Sequence, residues 1–393
     1  MRTITKPDMA EWLAADQLLR NGSPGSASSA LTKSRKGEAV GLSIRAIDPL
    51  SDQRWEQFVE NHPRSSIFHT QAWLEALRRT YGYTPVVYTT TTPRETALRN
   101  GVLFCEVNSW LTGKRLVSLP FSDHCEPLID QADELQEIYT DLERLVHSRY
   151  WRYIEMRPIR TLELSPSVFH STLRYYFHQL DLTPDLDSIY KSFHKNSIQR
   201  KIKRAEREGL IYWEDSNLEL LDPFYRLFSV TRQRHKIPPP PLSWFRNLIE
   251  TLGERLKIRM AFKGDHPVAG MVTIRHRGTF VYKYGCSDAR FHSLGGMPML
   301  YWKSIREAKT TGCRIFDFGR CDFDQAGLII FKRRWGAAES VLTYSRYANQ
   351  DNTAMHFPPE EASLKMKLAK ELFAHLPVKC LSFVGNILYK HVG

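Results

Sequence analysis

The sequence has no run of about eighteen apolar residues, the length a helix needs to cross the hydrocarbon core of a bilayer, so no helical span is expected. Its start, MRTITKPDMAEWLAADQLLR, mixes charges throughout and holds no secretory apolar core, so a cytoplasmic location is expected. Cysteine is scarce. The six present (Cys105, Cys125, Cys286, Cys313, Cys321, Cys380) form no CxxC pair and no regular spacing, which argues against a disulfide framework and a structural zinc site. Cys286 or Cys321 could act as a nucleophile, but no base is paired with either in sequence, and a small buried hydrophobe is the better reading of each. No metal or redox cofactor has a visible site. Acidic residues are outnumbered, 43 Asp and Glu against 55 Lys and Arg, giving a formal net charge of +12. Such a surface favours anionic partners: a small anionic or nucleotide-linked substrate, tRNA, or peripheral contact with the inner membrane surface. Plain solubility is the alternative, and no DNA partner is expected.

What is present reads as two domains, since 393 residues exceed one ordinary core. Within residues 1–41 the stretch NGSPGSASSALTKSRKGEAVG is rich in Gly, Ser and Ala and poor in large apolar residues, so a flexible leader is expected over 1–41. A first module is expected over 42–165. SDQRWEQFVENH and HTQAWLEALRRTYG read as amphipathic helices, the second with Trp73, Leu74 and Leu77 on one face and Gly82 after its end. PVVYTT, GVLFCEV and KRLVSLP read as strands, ADELQEIYTDLERLVHSRY as a helix and WRYIEMRP as a strand. A second module is expected over 172–347: strand LRYYFHQLDL, one long helix from DLDSIYKSF to Gly209, helices ELLDPFYRLFSVTRQRH and LSWFRNLIETLGER, and strands LKIRMAFK, PVAGMVTIRH and GTFVYKYGCS. Helix MPMLYWKSIREAKTTG and strand CRIFDFG close it. Three strands, a helix and a strand therefore occur twice, which implies an α+β protein of two similar modules, each a mostly antiparallel sheet with packed helices. Over 358–393 a helix from about Glu360 to Ala374 and an apolar, cationic tail are expected.

Three stretches carry chemistry. Ile189, Phe193, Ile198, Ile202 and Ala205 recur at helical spacing, leaving Lys195, Arg200, Lys201, Lys203, Arg204 and Arg207 on a basic face with only Glu206 and Glu208 opposing. Arg200 and Arg204 are candidate phosphate contacts; a solvated face is the alternative. In KYGCSDARFHSLGGMPML a strand ends in a polar turn and a glycine pair, Gly295 and Gly296, opens a helix. Asp317 and Gly319 are followed by GLIIFKRRWG, residues 327–336.

These stretches resemble the FemAB-like and BioF2-like acyltransferases of the GNAT superfamily, relatives of the peptidoglycan bridge-forming transferases and of exosortase-associated proteins. FemAB-type enzymes open their second module with R-x-I-x-[KR]-A-x-x-x-G, matched by Arg200, Ile202, Lys203 or Arg204, Ala205 and Gly209. They also carry D-x-G and then G-[LI]-x-x-F-K-x-x-[FW]-G, matched by Asp317, Gly319, Gly327, Phe331, Lys332, Trp335 and Gly336. HTQAWL, YGYTP and LPFSDHCEPL resemble the family's opening helix and the loop after its third strand, and Arg232, Arg234, His235 and Pro238 resemble an R-x-R-H-x-x-x-P segment. The loop HSLGGM departs from the acetyl-CoA enzymes' [QR]-x-x-G-x-[GA] and is closer to the FemAB-related branch. No heptad-rich arm of the kind carried by tRNA-reading members is present.

The resemblance implies two tandem GNAT-like modules and transfer of an acyl or aminoacyl group, from acyl-CoA or aminoacyl-tRNA, to an amine on a cell-envelope or polysaccharide precursor. It implies a donor along Tyr284 to Ser287 with phosphates near Gly295 and Gly296, and Lys332 at the oxyanion. Asp123 or His235 would accept a proton, although Asp123 would equally serve to cap its turn. Arg200, Arg204, Arg232 and Arg234 would contact phosphate or acceptor. A non-catalytic adaptor of the same fold, binding RNA or an anionic membrane through the basic helix and the tail LPVKCLSFVGNILYKHVG, is the rival reading. The tail could instead be a helix covering the second module.

Overall fold

The computed structural model of the chain describes residues 44–160, 170–348 and 371–392. The expected leader and most of the expected helix from Glu360 to Ala374 lie outside the described residues. Strand β1 (Arg45–Ile47) is followed by helices α1 (Gln53–Asn61) and α2 (Gln71–Tyr81). Asp52 caps α1 and Thr70 caps α2 through their side-chain oxygens, satisfying N–H groups that a helix start leaves unpartnered. Gly82 ends α2 at φ 71°, and Trp73, Leu74 and Leu77 are buried on the expected face. Strands β2 (Thr84–Thr89), β3 (Val102–Ser109) and β4 (Gly113–Val117) follow as an antiparallel set. Helix α3 (Ala132–Ser148) crosses back to β5 (Tyr153–Met156), which pairs parallel with β4.

After β6 (His170–Asp181) the expected long helix is broken. Helix α4 (Leu186–Ser192) stops at Phe193, whose backbone is extended, and α5 (Arg200–Arg207) begins only after a wide turn over Lys195–Gln199. Polar side chains explain the break. Ser192 Oγ donates to Ile189 O, His194 Nδ1 accepts from Ser197 N–H, and Gln199 Nε2 donates to the carbonyls of Tyr190 and Phe193. Such groups offer the backbone partners outside the helix. Gly209, at φ 64°, closes the second piece as expected.

Next come β7 (Ile211–Asp215), α6 (Leu221–Arg234), α7 (Leu242–Leu252), β8 (Leu256–Lys263), β9 (His266–His276) and β10 (Thr279–Ser287). Helix α8 (Gly296–Thr310) then leads to β11 (Ile315–Cys321), parallel to β10. The order of strands, crossover helix and parallel strand thus occurs twice, as the α+β reading of two modules expected. Helix α9 (Ala326–Arg333), β12 (Ala338–Ala348) and α10 (Val378–Val392) complete the described chain. Among the described residues no helix is long and apolar enough to cross a membrane.

The two modules share one twelve-stranded sheet in the order β1-β2-β3-β4-β5-β12-β6-β11-β10-β9-β8-β7. The join is β12, which no sequence pattern above assigned to a strand and which inserts between β5 and β6. The modules also share a core: Trp73 of α2 meets Trp244 of α7 edge-on at 5.3 Å, and Asn247 donates to Thr80 Oγ1 at 2.8 Å. At the join, Glu155 is 1% exposed and faces Arg346 in the β5–β12 register. One carboxylate oxygen accepts from Arg157 Nε and the other from Arg346 Nε, both at 2.7 Å. Burial alone would raise the Glu155 pKa, but Arg157 and Arg346 outweigh it and hold it down at about 2.

Removing one member of a buried ion cluster leaves its partners uncompensated. Glu155→Gln should therefore lower stability by about 3 kcal/mol at pH 7, read as a shifted urea midpoint. Because the folded-state pKa is depressed, the carboxylate's contribution is full above its usual pKa of 4.5 and is lost as pH falls toward 2. The gap between wild type and variant should accordingly narrow from pH 5 to pH 3, about the range where the carboxylate protonates.

Candidate active site

The site is built where two parallel strands part. β10 and β11 pair only from Thr279–Ile315 to Val281–Asp317. Beyond that point β10 bulges between Tyr282 and Tyr284 and stays with β9, whereas β11 bulges between Asp317 and Arg320 and stays with β6. Gly319, at φ 71°, makes the second bulge feasible. Two cavities use the freed strand. Tyr282, Gly285, Cys286 and Ser287 of β10 line one, of about 380 Å³, and Lys283 and Tyr284 line the other, of about 420 Å³.

The first cavity lies against the start of α8, between α5 and α6. Its lining includes Lys201, Arg234, Arg334, His235 and His292 and no carboxylate. Gly296, Met297 and Pro298 bring the positive end of the α8 dipole to its wall. The glycine pair has a steric reason. A Cβ on Gly295, at φ 85°, would collide with Lys201 O, and one on Gly296 would crowd Ala269 and Val268. Arg234 Nη1 donates to Ser287 O at 3.0 Å, and Ser287 Oγ contacts His292 Nε2 at 2.8 Å. Burial first, then the charges of Arg234 and Arg232, lowers the His235 pKa, which keeps the imidazole neutral near pH 7. Burial pushes the Cys286 thiol far up, so this cysteine is a wall residue rather than a nucleophile.

The second cavity lies between the modules. Asp123, on the loop after β4, reaches into it and accepts from Lys283 Nζ at 3.0 Å, with Arg320 Nε 3.6 Å from its other oxygen. Burial by itself would raise the Asp123 pKa; Lys283 and Arg320 outweigh it, and the net shift is downward. A carboxylate held below its usual range by two cations is better suited to bind an ammonium group than to take a proton from one. The Arg320 guanidinium stacks 4.0 Å from the ring centre of Tyr175 and 5.3 Å from that of Tyr344. Arg232 lines this cavity, but its N–H groups are directed to Pro238 O and the Tyr389 hydroxyl.

Lys332 lines neither cavity. It is 2% exposed, and its ammonium donates to Gly319 O at 2.8 Å and Arg320 O at 3.0 Å, tying α9 to the bulge of β11. Burial lowers its pKa. Two of three N–H donors are so engaged, and a role at an oxyanion needs the third.

The structure therefore gathers Arg234, His235, Ser287 and Gly296 on one cavity and Asp123, Tyr284 and Arg232 on the other, with Lys332 behind β11 and Gly295 packed on α5. Arg200 and Arg204 line neither; both are exposed on α5, and Arg204 pairs with Glu208 at 3.4 Å. Sequence reasoning left Lys283, Tyr175 and Tyr344 unassigned, and it placed Lys201 on the basic face without singling it out. Lys283 directly precedes the quoted Tyr284, but only the β10 bulge turns it toward Asp123. Among the described residues no group of three or more His, Cys, Asp or Glu is placed to hold a metal ion.

Replacing Lys283 by Met removes the nearest cation from a buried carboxylate. The Asp123 pKa should rise above its present depressed position, as followed by carboxylate-carbon NMR titration of labelled protein; an unmoved titration would mean that Lys283 does not set it.

Comparison with known proteins agrees with this geometry. Residues 192–333 match the family described as "Acetyltransferase (GNAT) domain". No curated protein matches in sequence. Among solved structures the fold is similar to that of FemX, at 13% identity and TM-score 0.60, covering 78% of this chain and 98% of that one. It is also similar to L-PGS from Bacillus licheniformis, at 12% identity and TM-score 0.51 over 82% of this chain and 97% of that one. A conserved protein of unknown function from Bacteroides thetaiotaomicron matches at 14% identity and TM-score 0.51, covering 78% of this chain and 100% of that one. Residues 192–333, which supply both strands of the gap and most of the cationic cavity, thus match a GNAT-type acetyltransferase domain, within a fold similar to that of FemX.

Proposed function

We propose that the protein transfers an acyl or aminoacyl group from a phosphate-bearing donor, acyl-CoA or aminoacyl-tRNA, to an amine on a cell-envelope or polysaccharide precursor. The observation that supports it is β10 as the common wall of two chemically different cavities. The cavity with cations and no carboxylate, set at a helix start, suits a donor's phosphates. The cavity between modules, with Asp123, suits an acceptor amine.

In the reaction the bound ammonium first gives one proton to solvent. The neutral amine nitrogen then forms a bond to the acyl carbon, the bond from that carbon to the donor's sulfur or oxygen breaks, and the second proton of the nitrogen leaves with the released thiol or hydroxyl. No covalent enzyme intermediate is needed, so the protein's part is positioning and charge. Asp123 orients the amine. Lys332 keeps the end of β11 in place, and a part at the developing oxyanion falls to its third N–H once the donor is bound. His235 is on the donor side, away from the amine.

A thermal-shift panel of acetyl-CoA, longer acyl-CoAs and charged tRNA tests the reading. One donor class should stabilise the protein, and a Lys201→Gln, Arg234→Gln double variant should weaken that donor about tenfold and flatten its salt dependence. No shift with any donor would overturn it. With the donor in hand, Lys332→Met should lower turnover about 100-fold while the donor-induced shift persists; unchanged turnover would remove Lys332 from the chemistry.

The adaptor reading keeps one supporting observation: Arg200, Lys203, Arg204 and Arg207 are exposed on α5 away from both cavities. Salt-sensitive binding to RNA or anionic liposomes that survives the double variant, together with no donor response, would favour it.

A further inference from the structure

The lining of the second cavity is of two kinds. Asp123, Glu155, Arg157, Lys283 and Arg320 bring charge, and Phe121, Phe228, Ile237, Pro240, Tyr389 and Val392 bring apolar surface. These apolar groups come from four separate parts of the chain, the last of them α10.

Helix α10 is seated there by specific contacts. Gly385 lies so close to Pro239 that a Cβ would collide with its carbonyl. Thr112 Oγ1 and Arg115 Nη2 both donate to His391 O at 2.7 Å, and Tyr83 Oη donates to Tyr389 O at 3.0 Å. The Tyr389 hydroxyl is consumed by Arg232 Nη2 at 2.9 Å and by Pro238 O at 3.2 Å, so its ring is what it adds to the wall. Phe121 has φ 59°, a strained value for a bulky residue. Ring contacts to Tyr81 at 4.7 Å and Tyr389 at 5.6 Å hold it there, two positions before Asp123.

Most of the charged groups have partners. Glu155 is paired with Arg157 and Arg346, Asp123 accepts from Lys283, and Asp322 accepts from Gln325. Arg320 differs. Its side chain is 31% exposed, its plane is fixed by stacking on two tyrosines, and among the described residues its nearest carboxylate oxygen, on Asp123, is 3.6 Å away, beyond good hydrogen-bond length. One hydrogen bond goes to the Tyr175 side chain, and the remaining N–H groups of a fixed guanidinium are suited to a carboxylate or a phosphate.

We propose that the acceptor is an amphiphile whose amine sits at Asp123, whose anionic group is taken by Arg320, and whose apolar arm runs along the wall closed by α10. This rests on reading the cavity as the acceptor site. Apolar wall left facing solvent regains favourable free energy when an apolar arm covers it.

The test is calorimetric titration of the full chain with 2-aminoalkanoic acids from alanine to 2-aminodecanoic acid, and with the matching 1-aminoalkylphosphonic acids. Affinity should rise about threefold per added methylene, and the stronger series identifies the anion. Val392→Asp should flatten the dependence on chain length without weakening the shortest member, whereas Arg320→Gln should weaken every member about tenfold. Affinity independent of chain length would overturn the proposal, as would failure of every member to bind. Either failure alongside a persisting donor-induced thermal shift leaves the transferase reading standing, and loss of the donor response as well brings down both.

Discussion

The architecture depends on a buried carboxylate. Glu155 ends the first module's last strand and holds Arg157 of its own chain segment and Arg346 of β12, the strand that the second half sends back. Burying three charges is costly in isolation, and close hydrogen-bonded geometry offsets the cost. What the cluster secures is register. β12 must meet β5 with Arg346 opposite Glu155, and that pairing makes one sheet of two modules. Glu155 and Arg157 also line the cavity between the modules, so the join and the wall of the candidate acceptor site are the same residues.

The two modules repeat a topology but not a site. In each, the third strand and the strand after the crossover helix pair parallel over a few residues and then part. In the second module the parting leaves cavities. In the first, the chain itself fills it: after Val117 the loop returns so that Cys125 N–H donates to Arg157 O at 2.7 Å, just past the end of β5. That filling carries Asp123 across to the second module, where it meets Lys283. Two chemically different cavities thus arise from two similar halves. Helix α10, whose buried face is spent on both halves through Tyr389 and His391, holds them in that relation.

Local patterns exposed much of this in the sequence. The amphipathic faces of α2 and α3, the strands β8 to β10, the glycine endings at Gly82 and Gly209 and the doubled order of elements all follow from short-range periodicity and backbone preference. The motif around Lys332 falls on α9, and the glycine pair marks the start of α8 beside the first cavity. Where local reading failed, a competing local bond or a distant partner decided. Ser192, His194 and Gln199 break a helix whose apolar spacing is continuous. β12 carries its buried Leu342 and Tyr344 at alternate positions, but the strands it joins lie more than 150 positions earlier in the chain.

The sequence by itself determined the fold class, the repeated order of elements and the basic face of α5, because each rests on residues near one another along the chain. The tertiary structure alone decided which cations face a ligand. Lys201 rather than Arg200 or Arg204 reaches the first cavity, because helical phase turns only one of them inward. Arg320 and Lys283 gather at Asp123 because two bulges and a returning loop, separated by more than 150 residues, meet at one gap. Helix α10 became a wall of the site rather than a free tail for the same reason: its partners, from Tyr83 to Pro239, lie far back along the chain, and only folding brings them together.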